Sequence, residues 1–292
     1  MIRYPITKAA LEQLVDAHAP TWRARAIADT KINVDADKLV KKNSTWSDIK
    51  AVYMRLQRNK CIYCERPLAG EVAGKVEQDV EHYRPKGRIS AWPKAASGFT
   101  YAFPTGSPVS SGYYWLAYDL RNYAASCKPC NSTRKSDAFP IAGARGAAAQ
   151  SLTELNSHEG PLLVFPFGSW GDDPAAIIRF EGIVAVPVKS AGTLNQRAVV
   201  TIDFFGLNLR EELWEDRFRT IRTVFDNVEI RETSANPARR AAAERTIADA
   251  ISAAGPQSLC ALNFLQLIES DPQKAWQTYL SAEEFVRSKR NP

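Results

Sequence analysis

The sequence predicts an α+β fold: a small strand-and-helix core clasped by four cysteines, set between N-terminal helices and a β-rich, then helical, C-terminal part. Three observations lead there. Cys61-Ile62-Tyr63-Cys64 and Cys127-Lys128-Pro129-Cys130 are two Cys-x-x-Cys pairs separated by a long insertion. Residues 75–83 alternate, with Val76, Gln78, Val80 and His82 on one side and Glu77, Asp79, Glu81 and Tyr83 on the other, which is the period of a strand. From Thr193 onward apolar residues recur at helical spacing. The expected segments are an N-terminal helical part at 1–60, a core at 61–140, a β-rich segment at 141–192 and a helical region at 193–292.

Taken in order, Ile6, Ala10, Leu11, Leu14 and Val15 mark a first helix over residues 6–19, with Thr7 as its cap and His18 at its end. Residues 21–29 continue as a short helix. The run Lys38-Leu39-Val40-Lys41-Lys42-Asn43 reads as a basic surface loop. Ser44-Thr45-Trp46-Ser47-Asp48 opens another helix, with Ser47 as cap and Ile49, Val52, Tyr53 and Leu56 as its apolar face. Residues 87–112, rich in Gly, Ser and Pro, read as a long loop beside the core, and loops of that length are usually functional or mobile. The aromatic run 113–118 reads as packing that leads to Asn122, and residues 131–138 as a helix stopped by Phe139-Pro140. Pro161-Leu162-Leu163-Val164-Phe165-Pro166 reads as a buried strand, and residues 177–180 and 183–186 as a hairpin around Glu181-Gly182. His158 falls in an expected polar loop. The C-terminal helices are expected at 193–204, 208–231, 236–253, 257–269 and 272–289, with Pro237 and Pro272 in first turns. Arg239, Arg240, Glu244 and Arg245 read as one exposed helix face.

Composition is that of an ordinary globular protein, with 45% hydrophobic and 24% charged residues over 292 positions. No run approaches the roughly 18 apolar residues of a membrane span, and no apolar leader follows Met1, so the expected setting is cytoplasmic and without a membrane. In a reducing compartment, tightly paired cysteines read as metal ligands rather than disulfides. Cys260, in an apolar helical stretch, reads as a buried core thiol. The formal net charge is +6, unevenly placed: residues 1–140 carry 22 Lys/Arg against 13 Asp/Glu, and residues 141–292 carry 16 against 19. Any polyanion binding therefore belongs to the N-terminal half, the alternative being a solvated basic surface.

Four thiolates satisfy a tetrahedral Zn²⁺ without leaving an open position, so Cys61, Cys64, Cys127 and Cys130 are expected to hold a structural zinc; the alternative is a set of reduced core thiols. Glu81 and His82 offer different chemistry. A hard divalent cation such as Mg²⁺ or Mn²⁺ needs only a few protein oxygens, which Glu81 and Asn131 can supply. Alternate strand residues point to opposite faces, but at a strand end the carboxylate can turn towards a metal while the imidazole addresses a water. His82 is then the candidate general base for hydrolysis of a phosphodiester.

The order of these motifs resembles a known family. A Cys-x-x-Cys, then Val80-Glu81-His82-Tyr83-Arg84-Pro85-Lys86, then Trp115-Leu116-Ala117-Tyr118-Asp119-Leu120-Arg121-Asn122, then Cys127-Lys128-Pro129-Cys130-Asn131-Ser132-Thr133-Arg134-Lys135 resembles an HNH endonuclease. More narrowly, it resembles the HNH effectors of bacterial anti-phage systems of the Septu type and their retron-associated relatives. Trp46-Ser47-Asp48-Ile49-Lys50, Glu159-Gly160-Pro161-Leu162-Leu163-Val164, Asp172-Asp173-Pro174 and the stretch 201–208 extend the likeness over roughly residues 40–220. The resemblance implies a ββα-metal finger in which His82 is the general base, Asn122 braces the finger loop, and Glu81 and Asn131 ligate the catalytic cation. This chain has Asn131 rather than His at the last position, a common substitution in the family, and Glu81 where Asp is commoner. The resemblance also implies an ATPase partner and a nucleic-acid substrate, DNA before RNA. Arg84, Lys86, Arg134 and Lys135 are candidate phosphate contacts, each with a structural salt bridge as its alternative. Asp119 is expected to orient the loop, and Asp137 to cap or to pair with a lysine. An RNA-cleaving HNH nuclease and a non-catalytic zinc module that binds nucleic acid or protein are the rival readings.

Overall fold

The computed structural model describes residues 1–40, 45–68 and 78–290. Lys41 to Ser44 of the expected basic loop and helix start, and residues 75–77 of the alternating stretch, lie outside the described residues. The chain falls into two compact units. One comprises Arg3–Tyr63 and Leu68–Asp172; the other comprises Met1–Ile2, Cys64–Pro67 and the chain from Asp173 onward.

The first unit begins with α1 (Lys8–His18) and α2 (Trp22–Asp35). The Thr7 hydroxyl accepts from the Ala10 N–H at 3.2 Å, the expected cap, and Leu11 and Val15 form the buried stripe. The second helix runs six residues beyond its expected end, because nothing in 30–35 breaks it. A 3₁₀ turn, Thr45–Ile49, precedes α3 (Lys50–Leu56), so Ser47 lies inside the turn rather than at a cap. Two strands then pair antiparallel, β1 (Gln78–His82) with β2 (Tyr123–Cys127), in the register His82 to Tyr123 and Gln78 to Cys127. The open edge of β2 is closed by a side chain. Gln57, fully buried, accepts from the Ala125 N–H at 2.7 Å and donates to its carbonyl at 2.8 Å, as a third strand would. A π-helix, Pro129–Lys135, follows β2 directly.

Two expectations for the stretch after the core need correction. Residues 152–159 form a helix, α4 (Leu152–Glu159), closed by a capping box in which Ser151 and Glu154 bond reciprocally, so His158 sits in a helix rather than a loop. Residues 161–166 are buried as expected but form no strand among the described residues; isolated bridges join Ile141 to Pro161 and, just beyond, Tyr4 to Phe167, and the flanking prolines supply no N–H to a ladder. Around this segment Tyr83 stacks on Phe165 with centroids 4.4 Å apart, and its hydroxyl donates to the Leu163 carbonyl at 2.7 Å.

In the second unit the expected hairpin forms as β3 (Ile178–Glu181) and β4 (Val184–Pro187). Five helices follow: α5 (Gly192–Phe205), α6 (Glu211–Thr233), α7 (Pro237–Ile251), α8 (Ser258–Ser270) and α9 (Pro272–Arg290). All five fall within a few residues of the expected spans. Arg217 of α6 is buried and donates to the carbonyls of Ile183 and Leu207 at 3.0 and 2.7 Å, tying the hairpin turn to the α5–α6 connection. Burial lowers its guanidinium to about 10. Among the described residues no helix is long and apolar enough to cross a membrane.

Candidate functional site

The Sγ atoms of Cys61, Cys64, Cys127 and Cys130 all lie within 4.8 Å of one another. A tetrahedral zinc with bonds of about 2.3 Å needs sulfurs about 3.8 Å apart, so the cluster fits the ion with slight contraction. The tight turn at 61–64 supplies one pair, and the end of β2 with the first turn of the π-helix supplies the other. The Cys61 sulfur accepts from the Cys127 N–H at 3.4 Å, an outer contact of the kind that orients a ligand. The arrangement is that of a closed, structural zinc site.

The register of β1 distributes the remaining chemistry over two faces. On one face His82 lies edge-on to Trp46 and to its cross-strand neighbour Tyr123, both with centroids 4.9 Å away. Its Nε2 is 3.2 Å from the Ala117 carbonyl. A carbonyl can only accept, so Nε2 carries the proton and Nδ1 keeps its lone pair. Burial, reinforced by the Lys86 and Lys135 ammonium groups and opposed by the Ala117 carbonyl, holds the imidazole pKa well below its usual value. His82 is thus a neutral imidazole with a defined tautomer. Lys86 lies 4.4 Å from the Trp46 ring centre and 3.5 Å from Nδ1 of His82, the outer limit of a hydrogen bond. Burial lowers the pKa of that ammonium, with Glu81 opposing.

Asp79 and Glu81 share the other face, over which the π-helix packs. Lys135 donates to Glu81 Oε1 at 2.8 Å and to the His82 carbonyl at 2.8 Å. Tyr63 donates to the same Oε1 at 3.3 Å. Burial raises the Glu81 pKa, outweighing Lys135. Asn131 does not bond Glu81. Its Nδ2 donates to Asp79 Oδ2 at 2.9 Å, and the Ser132 hydroxyl donates to that oxygen at 3.0 Å. Three oxygens therefore have no partner among the described residues: Asp79 Oδ1, Glu81 Oε2 and Asn131 Oδ1. Carboxylate and amide oxygens of this kind suit a hard divalent cation.

Asn122 is a brace. Its Oδ1 accepts from the Arg84 N–H at 2.7 Å, while Nδ2 donates to the carbonyls of Arg84 and Leu116 at 3.0 and 3.2 Å. All its bonds go to backbone, and they hold the turn that follows His82. Gly112 packs against the same turn. A Cβ there would stand 1.7 Å from the Gly87 carbonyl oxygen, so no side chain fits.

Of the four candidate phosphate contacts, Arg84 and Lys135 take the salt-bridge alternative. Both are 1% exposed. Lys135 is held by Glu81, and Arg84 donates to Glu159 Oε2 through Nε at 3.2 Å and Nη2 at 3.0 Å. Lys86 and Arg134 are half-buried. Asp119 orients its loop as expected, accepting from the Arg121 N–H at 2.8 Å. Asp137 pairs with Arg88 and Ser90 rather than with a lysine. The 87–112 loop is pinned at its base by reciprocal backbone bonds between Ile89 and Val109.

Two residues escaped the sequence reading as site residues. Asp79 was legible as sharing the face of Glu81, but its neighbour Glu81 stood next to the histidine and drew the assignment. Glu159 lies in a stretch that resembles the nucleases, yet nothing local marks it as the counterion of Arg84.

Over 176 residues, 60% of its length, the chain is 28% identical to the Septu protein PtuB of Bacillus mycoides (strain KBAB4). The match covers 52% of that protein, so the chain spans about half the length of the curated relative it matches. No protein-family model matches the chain, and no solved structure matches it. The likeness relates the chain to a Septu protein, and it comes from sequence alone.

Proposed function

We propose that the chain is a divalent-metal-dependent HNH endonuclease that hydrolyses phosphodiester bonds, with DNA as the favoured substrate. The observation that carries the reading is His82: a buried, neutral imidazole whose Nε2–H is committed to the Ala117 carbonyl, leaving Nδ1 as a base. It ends a strand whose other face carries Asp79 and Glu81, and the π-helix packed over that face brings Asn131 to Asp79. In this mechanism Nδ1 takes a proton from water as the water oxygen attacks phosphorus, and the bond to the leaving oxygen breaks. A bound Mg²⁺ or Mn²⁺ supplies charge stabilisation to the phosphoryl oxygens. Glu81 and Asn131 are the residues that would hold it. Lys86, displaced from His82, and Arg134 would contact backbone phosphates.

The likeness to the Septu protein PtuB supports an anti-phage defence role, and the resemblance of the sequence motifs to Septu-type effectors implies an ATPase partner. The test is cleavage of plasmid, linear DNA, single strands and RNA under titration with Mg²⁺ and Mn²⁺, alone and with an ATPase encoded beside it. His82→Ala is expected to lower cleavage by about 10²–10⁴-fold with unchanged zinc content and a folded protein by circular dichroism, its melting point lowered by the cavity left beside Trp46 and Tyr123. Full metal-dependent activity in that variant would remove His82 from the mechanism. Cleavage of RNA alone would move the substrate assignment, and binding without any cleavage would favour a zinc-held binding module.

A further inference from the structure

We infer that Asp79 is a positioning residue that turns the Asn131 side-chain oxygen outward as a cation ligand. The inference rests on the reading of Asn131 as a ligand to the catalytic cation.

An asparagine amide has two ends of nearly equal shape and opposite chemistry, and only its oxygen can ligate a cation. A rotation of its terminal bond exchanges the two, so a ligating asparagine needs something to fix which end points where. An ionised carboxylate has no proton to give and can only accept. Asp79 Oδ2 accepts from Asn131 Nδ2 at 2.9 Å and from the Ser132 hydroxyl at 3.0 Å. The amide nitrogen is thereby fixed towards Asp79, and Oδ1 is left on the opposite side with no partner among the described residues. The Ser132 hydroxyl donates to the same oxygen, a second bond that helps to fix the carboxylate.

The elements make this contact reproducible. Asp79 lies opposite Ser126 in the register of β1 and β2, and Asn131 follows Cys130, whose neighbour segment is held by the cysteine cluster. Asp79 is half-buried, so its charge is only partly screened by water. Outer-shell partners that orient a ligand typically account for about 10–100-fold in metal affinity. Asp79→Asn keeps the volume of the side chain but replaces an obligate acceptor with an amide that can donate to Asn131 Oδ1 and pull it inward. Asp79→Ala removes the anchor altogether.

The experiment is a Mn²⁺ titration of the zinc-loaded protein, read by loss of the free-ion EPR signal, with no substrate present. Zinc content and thermal melting are recorded for every variant. The expected result is that Asn131→Ala loses most Mn²⁺ binding, and that Asp79→Asn and Asp79→Ala bind about 10-fold or more weakly while keeping zinc. Adding Asp79→Ala to Asn131→Ala should then change nothing further, because Asp79 acts through Asn131. Wild-type affinity in both Asp79 variants, with Asn131→Ala defective, would overturn the inference and leave the nuclease reading standing. A further loss in the double variant would also overturn it, by making Asp79 a ligand in its own right. Unchanged Mn²⁺ binding in Asn131→Ala would remove the ligand assignment itself, and the inference with it.

Discussion

Replacing Glu159 with Gln should destabilise the protein well beyond an ordinary surface substitution. Glu159 is fully buried, and its two oxygens have separate tasks. Oε2 meets Arg84 Nε at 3.2 Å and Nη2 at 3.0 Å; Oε1 accepts from the Tyr113 hydroxyl at 2.5 Å and the Gly146 N–H at 3.0 Å. Glu159→Gln keeps the shape and part of the hydrogen bonding but deletes the charge. It leaves a guanidinium that is 1% exposed without its carboxylate. At an effective dielectric of about 20, two unit charges about 4 Å apart interact by roughly 4 kcal/mol. Breaking a buried pair by removing one partner costs about 3–5 kcal/mol by measurement. Arg84 still has the Asn156 side chain at 2.9 Å and the rings of Tyr83, Tyr113 and Phe139 around it, which places the expected loss at the lower end, about 3 kcal/mol. For a chain of 292 residues, with an unfolding entropy of about 2.1 cal/mol/K per residue, that corresponds to a melting point lower by roughly 5 °C. Thermal unfolding followed by circular dichroism, with the exposed pair variant Asp35→Asn as a control expected to change by less than about 0.5 kcal/mol, makes the comparison. The consequence reaches the site, because the Arg84 backbone is what Asn122 grips, two residues after His82. A Glu159→Gln protein as stable as the Asp35→Asn control would refute the view that this pair is what seats Arg84.

Gly112→Ala is expected to lower the urea midpoint by the equivalent of about 1–3 kcal/mol, since the new methyl meets the Gly87 and Pro85 carbonyls at 1.7 and 2.4 Å; cleavage should fall with it, because that turn carries Lys86. Removal of zinc with a strong chelator should expose Cys61, Cys64, Cys127 and Cys130 to iodoacetamide, while Cys260 stays unmodified in folded protein at pH 8. Its thiol is pushed up to about 12 by burial, so almost no thiolate exists to react. The sign is fixed: the unfolded thiol ionises near its ordinary value and the folded one later, so any stability linked to Cys260 is lost as pH rises above about 9. Mass spectrometry of the alkylated chain reads both halves, and labelling of Cys260 in the zinc-loaded fold would contradict its burial.

What the sequence determined by itself was local. The Cys-x-x-Cys spacings, the Thr7 cap, the alternation that ends at His82 and the helical periods after Thr193 each depend on residues within a few positions of one another, and local geometry is read directly from such patterns. The His82 tautomer, the outward face of Asn131 and the fates of Arg84 and Lys135 were decided by tertiary structure. Each depends on a partner far along the chain: Ala117 is 35 residues from His82, Asp79 is 52 from Asn131, and Glu159 is 75 from Arg84. A charge chooses between a phosphate at the surface and a carboxylate in the interior by its desolvation and by which group the fold brings within 3 Å. Neither quantity is a property of the residue or its neighbours in sequence, which is why two basic residues of one motif, Arg84 and Lys86, end in such different surroundings.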